Sequence, residues 1–181
     1  MTKVNQLNDI FTILEDENKP KSPHHFLFFL GTDTVFTKRP TIPEKDPKNG
    51  KAYVHGETIS YTAQVIANRL GENSKFGEKD NPLSYYSESV DVLNGPTTLG
   101  KEVGDRIARG VFLALRAVAS GKQNLEILGH SRGAVEAILV IHELDRIKKA
   151  LENNPQQSLY TILMDTTCPY TRPAIQKIFG N

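Results

Sequence analysis

The chain has 181 residues, 38% hydrophobic and 24% charged, with 22 basic against 21 acidic side chains and a formal net charge of +1. This composition suits one globular domain with a sizeable core and excludes a strongly basic nucleic-acid groove or an acidic tail. The single cysteine, Cys168, excludes an internal disulfide and fits a reducing compartment, where it reads as a small buried hydrophobe.

In chain order, Val4, Leu7, Ile10, Phe11 and Leu14 fall at helical spacing and predict an amphipathic first helix, followed by the polar linker "EDENKPKSP". "HHFLFFLGT" is an unalternated apolar run stopped by Gly31, the pattern of a strand buried on both faces. That run is too short to cross a bilayer, and no signal segment precedes it. The expected location is therefore the cytoplasm, or a target cell reached without a cleaved leader. Residues 31–57, rich in Pro, Lys and Gly, read as a long surface loop. A helix over 58–70 should turn Ile59, Ala63, Ile66 and Leu70 inward, and "LSYYSESVDVL" reads as one strand. After the turn "NGPTTLG", a helix over 101–119 lines up Val103, Ile107, Val111, Leu115 and Val118. The strand "LEIL", a serine-bearing turn and a helix over about 132–152 follow. "LYTILMD" reads as a further strand ending at Asp165, and a short helix closes the chain. Strands alternating with helices imply an α/β fold, a mostly parallel sheet with helices on both faces. Ligands then bind at the carboxyl ends of the strands, where the loops after "FLFFL", "LEIL" and "TILMD" should meet.

The turn "LGHSRGA" carries the chemistry. A serine hydroxyl attacks a carbonyl only when a base takes its proton and donors stabilise the oxyanion. Gly129 and Gly133, two residues to either side of Ser131, allow a sharp strand-to-helix elbow that presents the hydroxyl above a helix N-terminus. The amide of Arg132 supplies one oxyanion donor, and the loop Gly31–Thr32–Asp33 the second. His130 adjoins Ser131 but points elsewhere in such a turn, so it reads as filler.

"GHSRGAVEA" resembles the Gly-x-Ser-Arg-Gly-Ala elbow of an α/β-hydrolase family that includes the type VI secretion lipase effectors. "FLFFLGTDT" is similar to that family's first strand and its Asp-Gly-Thr loop, with Leu30 where the family has the aspartate. The stretch from "YYSESVDVL" to "GVFLAL" is similar to its Tyr-rich strand, Gly-rich turn and helix, and "TILMDTT" to its Asp-ended strand. The resemblance implies a serine esterase or lipase acting on an ester or acyl lipid, with no cofactor. Ser131 would be the nucleophile, Asp165 the acid of the triad, and Gly31 and Thr32 part of the oxyanion loop.

The fold's order of triad residues is Ser, Asp, His, and no histidine follows Asp165. His142 lies about 16 Å along the helix from Ser131. His24 and His25 start the first strand at the opposite sheet edge and read as a solvated strand start, without a third ligand for a metal. His55, on the long loop, is the remaining candidate base. The expectation is a single domain over 1–181, an N-terminal domain or fragment of a longer protein whose C-terminal part supplies the histidine. The alternatives are a hydrolase-like interaction module without turnover, and a nucleotide binder. The last would use "GPTTLGKE", which nearly spells a phosphate-binding loop, with Lys101 in place but Glu102 where a hydroxyl belongs. Lys148 and Lys149 read as a solvated helix face.

Overall fold

The computed structural model describes residues 22–34, 43–45, 52–54, 58–71, 75–76, 83–166, 169 and 171–179. The predicted helix at 4–14, His55 and Cys168 lie outside them. Strands β1 (His24–Phe29), β4 (Lys75–Phe76), β5 (Leu83–Tyr86), β6 (Val90–Leu93) and β7 (Asn124–Gly129) form one sheet in the order β4-β5-β6-β1-β7. β1 runs parallel to β6 and β7, while β5 and β4 continue the sheet antiparallel. The chain is therefore α/β, with a parallel centre of three strands. Inside the stretch read as a long loop, β2 (Pro43–Lys45) and β3 (Ala52–Val54) pair antiparallel as a small hairpin.

β1 is covered on both faces, as its unbroken apolar run requires. Leu27 and Phe29 join a core with helices α2 (Val103–Ala119), α3 (Arg132–Asn153), α4 (Leu159–Thr166) and α5 (Arg172–Phe179). Phe28 and Leu30 point the other way, toward Ala63 and Ala67 of α1 (Thr58–Leu70). Leu27, Phe28, Phe29 and Leu30 are all fully buried. No helix among the described residues is long and apolar enough to cross a membrane.

Three elements differ from the sequence reading, each for a local reason. "LSYYSESVDVL" is a hairpin, not one strand. Ser87 closes it, donating its N–H to the Val90 carbonyl at 2.7 Å and accepting the Val90 N–H on its hydroxyl at 3.0 Å. In α2, Val118 is 61% exposed. That helix is packed by the sheet, α3 and α5 at once, and its inward surface runs through Ala108, Gly110, Ala114 and Ala117. Finally, "LYTILMD" is helix α4. Ser158 caps it, its hydroxyl accepting the Thr161 N–H at 3.2 Å, and Ile162 and Leu163 are buried on its inner face. Asp165 thus sits in the last turn of a helix and not at the end of a strand.

At the amino-terminal edge of the parallel strands, His25 is 1% exposed and not solvated as expected. Asp91 of β6 explains why. Its Oδ2 accepts from His25 Nε2 at 2.9 Å and from Arg116 Nη2 at 2.6 Å. Beside them, Lys122 Nζ donates to Ser89 Oγ at 2.7 Å and to the Ser22 carbonyl at 3.1 Å. A buried ion cluster is tolerated only while every member has its partner. Asp91→Ala should therefore lower the unfolding free energy by about 3 kcal/mol, read from urea denaturation curves.

Candidate functional site

The carboxyl edge of the parallel strands is built on backbone contact. A side chain on Gly133, in the first turn of α3, would overlap the carbonyl oxygens of Phe29 and Leu30. One on Gly129 would overlap Gly133 and Ala134. The two glycines let α3 start directly against the ends of β1 and β7. The residue between them takes the bend: Ser131 has φ 53° and ψ −125°. Only Ser131 and Asp33 have positive φ among the described non-glycine residues. Such a conformation is held at a cost of order 1–3 kcal/mol and persists only where the surroundings enforce it. The Ser131 side chain is exposed and does not cap α3, although it occupies the N-cap position.

Parallel pairing sets Phe29 opposite Gly129, and the His130 N–H donates to the Phe29 carbonyl at 3.1 Å. The loop 30–34 is thereby fixed beside the elbow. The Arg132 amide, first in α3, has no carbonyl one turn back to bond. Asp33 uses its own amide on the Pro96 carbonyl at 2.9 Å, and its carboxylate accepts from Thr98 N at 3.2 Å and Thr98 Oγ1 at 2.5 Å. Arg132 reaches the same place from the other side, Nη1 donating to the carbonyls of Thr97 at 3.2 Å and Thr98 at 2.6 Å. The elbow, the 30–34 loop and the 94–102 loop are thus tied into one rim. The structure brings together Gly31, Thr32, Asp33, Gly129, Ser131, Arg132 and Gly133. The third member of the rim is the turn "NGPTTLG"; the loop after "TILMD" lies largely outside the described residues.

The histidines are distributed otherwise. His24 Nδ1 meets Glu126 Oε1 at 3.3 Å and His25 meets Asp91, both at the far edge. His142 is exposed on α3. Asp165 accepts a hydrogen bond from Gln157 Nε2 at 3.2 Å.

Two residues that sequence reasoning passed over lie beneath the rim. Glu136, 1% exposed on the inner face of α3, has neither carboxyl oxygen hydrogen-bonded among the described residues. Burial raises its pKa to about 7, against the charge of Arg106 and with that of Glu102. Arg106, 6% exposed on α2, is pulled below its ordinary pKa by burial and donates to the Asn94 carbonyl. The signal was positional: Glu136 falls between Gly133, Ala137 and Val140 on the inward face of its helix.

Among the described residues no group of three His, Cys, Asp or Glu side chains is placed to hold a metal. In the "GPTTLGKE" loop, Thr97 Oγ1 donates to both carboxylate oxygens of Glu102, at 3.0 and 2.9 Å, and Glu102 is held below the usual carboxylate range by those and backbone hydrogen bonds. The loop thus carries a negative charge where a phosphate would need donors. The chain matches no protein-family model, no curated protein and no solved structure.

Glu136 gives stability a pH dependence of definite sign. Its folded pKa is raised from 4.5 to about 7, so between those values the native state holds a proton that the unfolded chain releases. Stability should then fall as pH rises from 4.5 to 7, by up to about 3 kcal/mol. Glu136→Gln, which mimics the protonated form, should remove this component. Thermal unfolding of both proteins between pH 4.5 and 8 at constant ionic strength is the measurement.

Proposed function

We propose that this chain is an α/β-hydrolase-like serine hydrolase domain, of esterase or lipase type, with Ser131 as its nucleophile. The observation that carries the reading is the backbone of Ser131, φ 53° and ψ −125°, held between two glycines at the end of a parallel strand and the start of a helix. A structural turn has no need of this strain at a serine whose hydroxyl caps nothing. A nucleophile does, because the bend lifts the hydroxyl clear of both strand and helix.

On this reading Ser131 Oγ attacks an ester carbonyl as a base removes its proton. Negative charge then gathers on the carbonyl oxygen, next to the N-terminus of α3. The Arg132 amide is one donor to that oxygen, and the Gly31–Thr32 segment is the second by the resemblance of "FLFFLGTDT" to the family's oxyanion loop. The ties from Asp33 and Arg132 to Thr98 hold the donors in place before substrate arrives, and preorganisation of this kind is the largest electrostatic contribution to catalysis. Asp165 as the triad acid rests on the resemblance of "TILMDTT" alone. A module that binds without turnover shares the elbow but has no use for a reactive serine.

Labelling with a fluorophosphonate probe separates the two. The wild-type chain should label at one site, and Ser131→Ala, with an unchanged circular dichroism spectrum, should lose labelling by at least about 10³-fold. Folded wild-type protein without Ser131-dependent labelling would overturn the enzyme reading.

A further inference from the structure

Beneath the rim, α2 and α3 bury two groups whose bonding is incomplete. Both carboxyl oxygens of Glu136 and the Nε of Arg106 are without a hydrogen-bond partner among the described residues. Each side chain lies within the field of the other. Of the carboxylates that act on Arg106, Glu136 acts most strongly, ahead of Glu102 and Asp105. Those two have their own partners, Glu102 in Thr97 Oγ1 and Asp105 in Arg109 Nε at 2.9 Å. Arg106 turns its Nη1 away from Glu136 and donates to the carbonyl of Asn94.

That carbonyl belongs to the rim. Asn94 opens the 94–102 loop, and its neighbour Gly95 lies directly on the loop 30–34. The Gly95 N–H donates to the Thr34 carbonyl at 2.8 Å, and a side chain on Gly95 would overlap the Gly31 carbonyl oxygen. One residue on, the Pro96 carbonyl accepts the Asp33 N–H at 2.9 Å. Contact therefore runs without a gap from Arg106 through Asn94 and Gly95 to Gly31. The guanidinium is a rigid planar fork, so Nε and Nη1 move together. As the Asn94 carbonyl places it, Nε meets neither oxygen of Glu136, and to reach them the fork has to turn.

We infer that Arg106 is a proton-controlled latch on the rim: it holds the Asn94 carbonyl while Glu136 is protonated, and turns to the carboxylate once Glu136 has given its proton to solvent. A neutral carboxyl draws a guanidinium no more than a carbonyl does. An ionised one binds it about twice as strongly, and a buried carboxylate left unpaired is strongly disfavoured. Burial places this change at about pH 7. Besides Arg106, the charge that acts on Glu136 is that of Glu102, at the start of α2. The other elements packed on α3 hold their titratable groups elsewhere. His24 and His25 of β1 and Glu126 of β7 lie at or toward the far edge, Asp165 of α4 accepts from Gln157, and Tyr160 of α4 is exposed. On α3 itself, Arg132 is tied to the Thr97 and Thr98 carbonyls and Glu143 to Arg146. The latch stands on this geometry. Its consequence for Ser131, a site assembled below pH 7 and loosened above it, rests on the hydrolase reading.

Hydrogen exchange of the peptide covering residues 94–102, read by mass spectrometry, tests the latch without recourse to activity. Comparing wild type with Glu136→Gln at one pH cancels the intrinsic pH dependence of exchange. The two should be equally protected at pH 6, and at pH 8 the wild type alone should lose protection. Arg106→Met, folded by circular dichroism, should lack that protection at both pH values. The rate of fluorophosphonate labelling, as the ratio of wild type to Glu136→Gln, should fall about tenfold from pH 6 to pH 8, as the protonated fraction of Glu136 does. Equal protection of wild type and Glu136→Gln at pH 8 would overturn the latch, whatever the labelling ratio does. Protection that changes as expected beside a constant labelling ratio would overturn its effect on Ser131. The same change in a chain that never labels would keep the latch and overturn the hydrolase reading.

Discussion

The rest of the molecule depends on one contact between two backbones, the first turn of α3 against the carboxyl end of β1. No side chain fits between Gly133 and the carbonyls of Phe29 and Leu30, or between Gly129 and the helix that follows it. With these approaches fixed, the chain has a single residue in which to turn from strand to helix. Ser131 takes up the difference in its backbone angles. The same contact aims α3 back along the sheet, where Ala137 and Val140 reach the core with Phe29. The strain at the serine is therefore imposed by packing that spans three elements. It does not belong to the turn alone, which is why it persists.

The two edges of the parallel strands place their charged groups differently. At the amino-terminal edge, Asp91, His25 and Arg116 satisfy one another, and Lys122 is bonded to Ser89 and Ser22. The ion pairs organise this edge, although His25 Nδ1 and Asp91 Oδ1 have no hydrogen-bond partner among the described residues. At the carboxyl edge the polar groups tie loops to one another, through Asp33, Thr98 and Arg132, while Glu136 and Arg106 are buried below with hydrogen-bonding capacity unused.

Much of this was legible in the residues, for identifiable reasons. β1, α1, α2, β7 and α3 each carry a long or strongly patterned signal, and the Gly-x-Ser-x-Gly spacing located the elbow. What escaped were effects decided by a few atoms or by distant partners. Ser87 and Ser158 turn an expected strand into a hairpin and another into a helix, through one hydroxyl each. A seven-residue apolar run such as "LYTILMD" suits either element, and the cap settles it. His25 looked solvated because its partner is 66 residues away on β6. Asp33 was read as an amide donor near the serine, whereas its amide and carboxylate both serve the 94–102 loop. Glu136 could be placed on the inward face of its helix, but its isolation there depends on how α2 and α3 meet.

The position of Glu136 bears on the chemistry proposed for Ser131. It lies five residues into α3, about 8 Å along the helix from the elbow. At an effective dielectric constant near 20, a negative charge at that distance would oppose a developing oxyanion by about 2 kcal/mol. That is comparable to what a helix N-terminus contributes in a partly buried setting. A permanently ionised carboxylate there would cancel the field that the start of α3 directs at the site. Burial prevents this by holding the group protonated up to about pH 7. Arg106 then stays below the rim with a charge of the sign an oxyanion requires, near the carboxylates of Glu102 and Asp105. The fold thus puts an acid where hydrophobic packing calls for volume and keeps it neutral by the same packing.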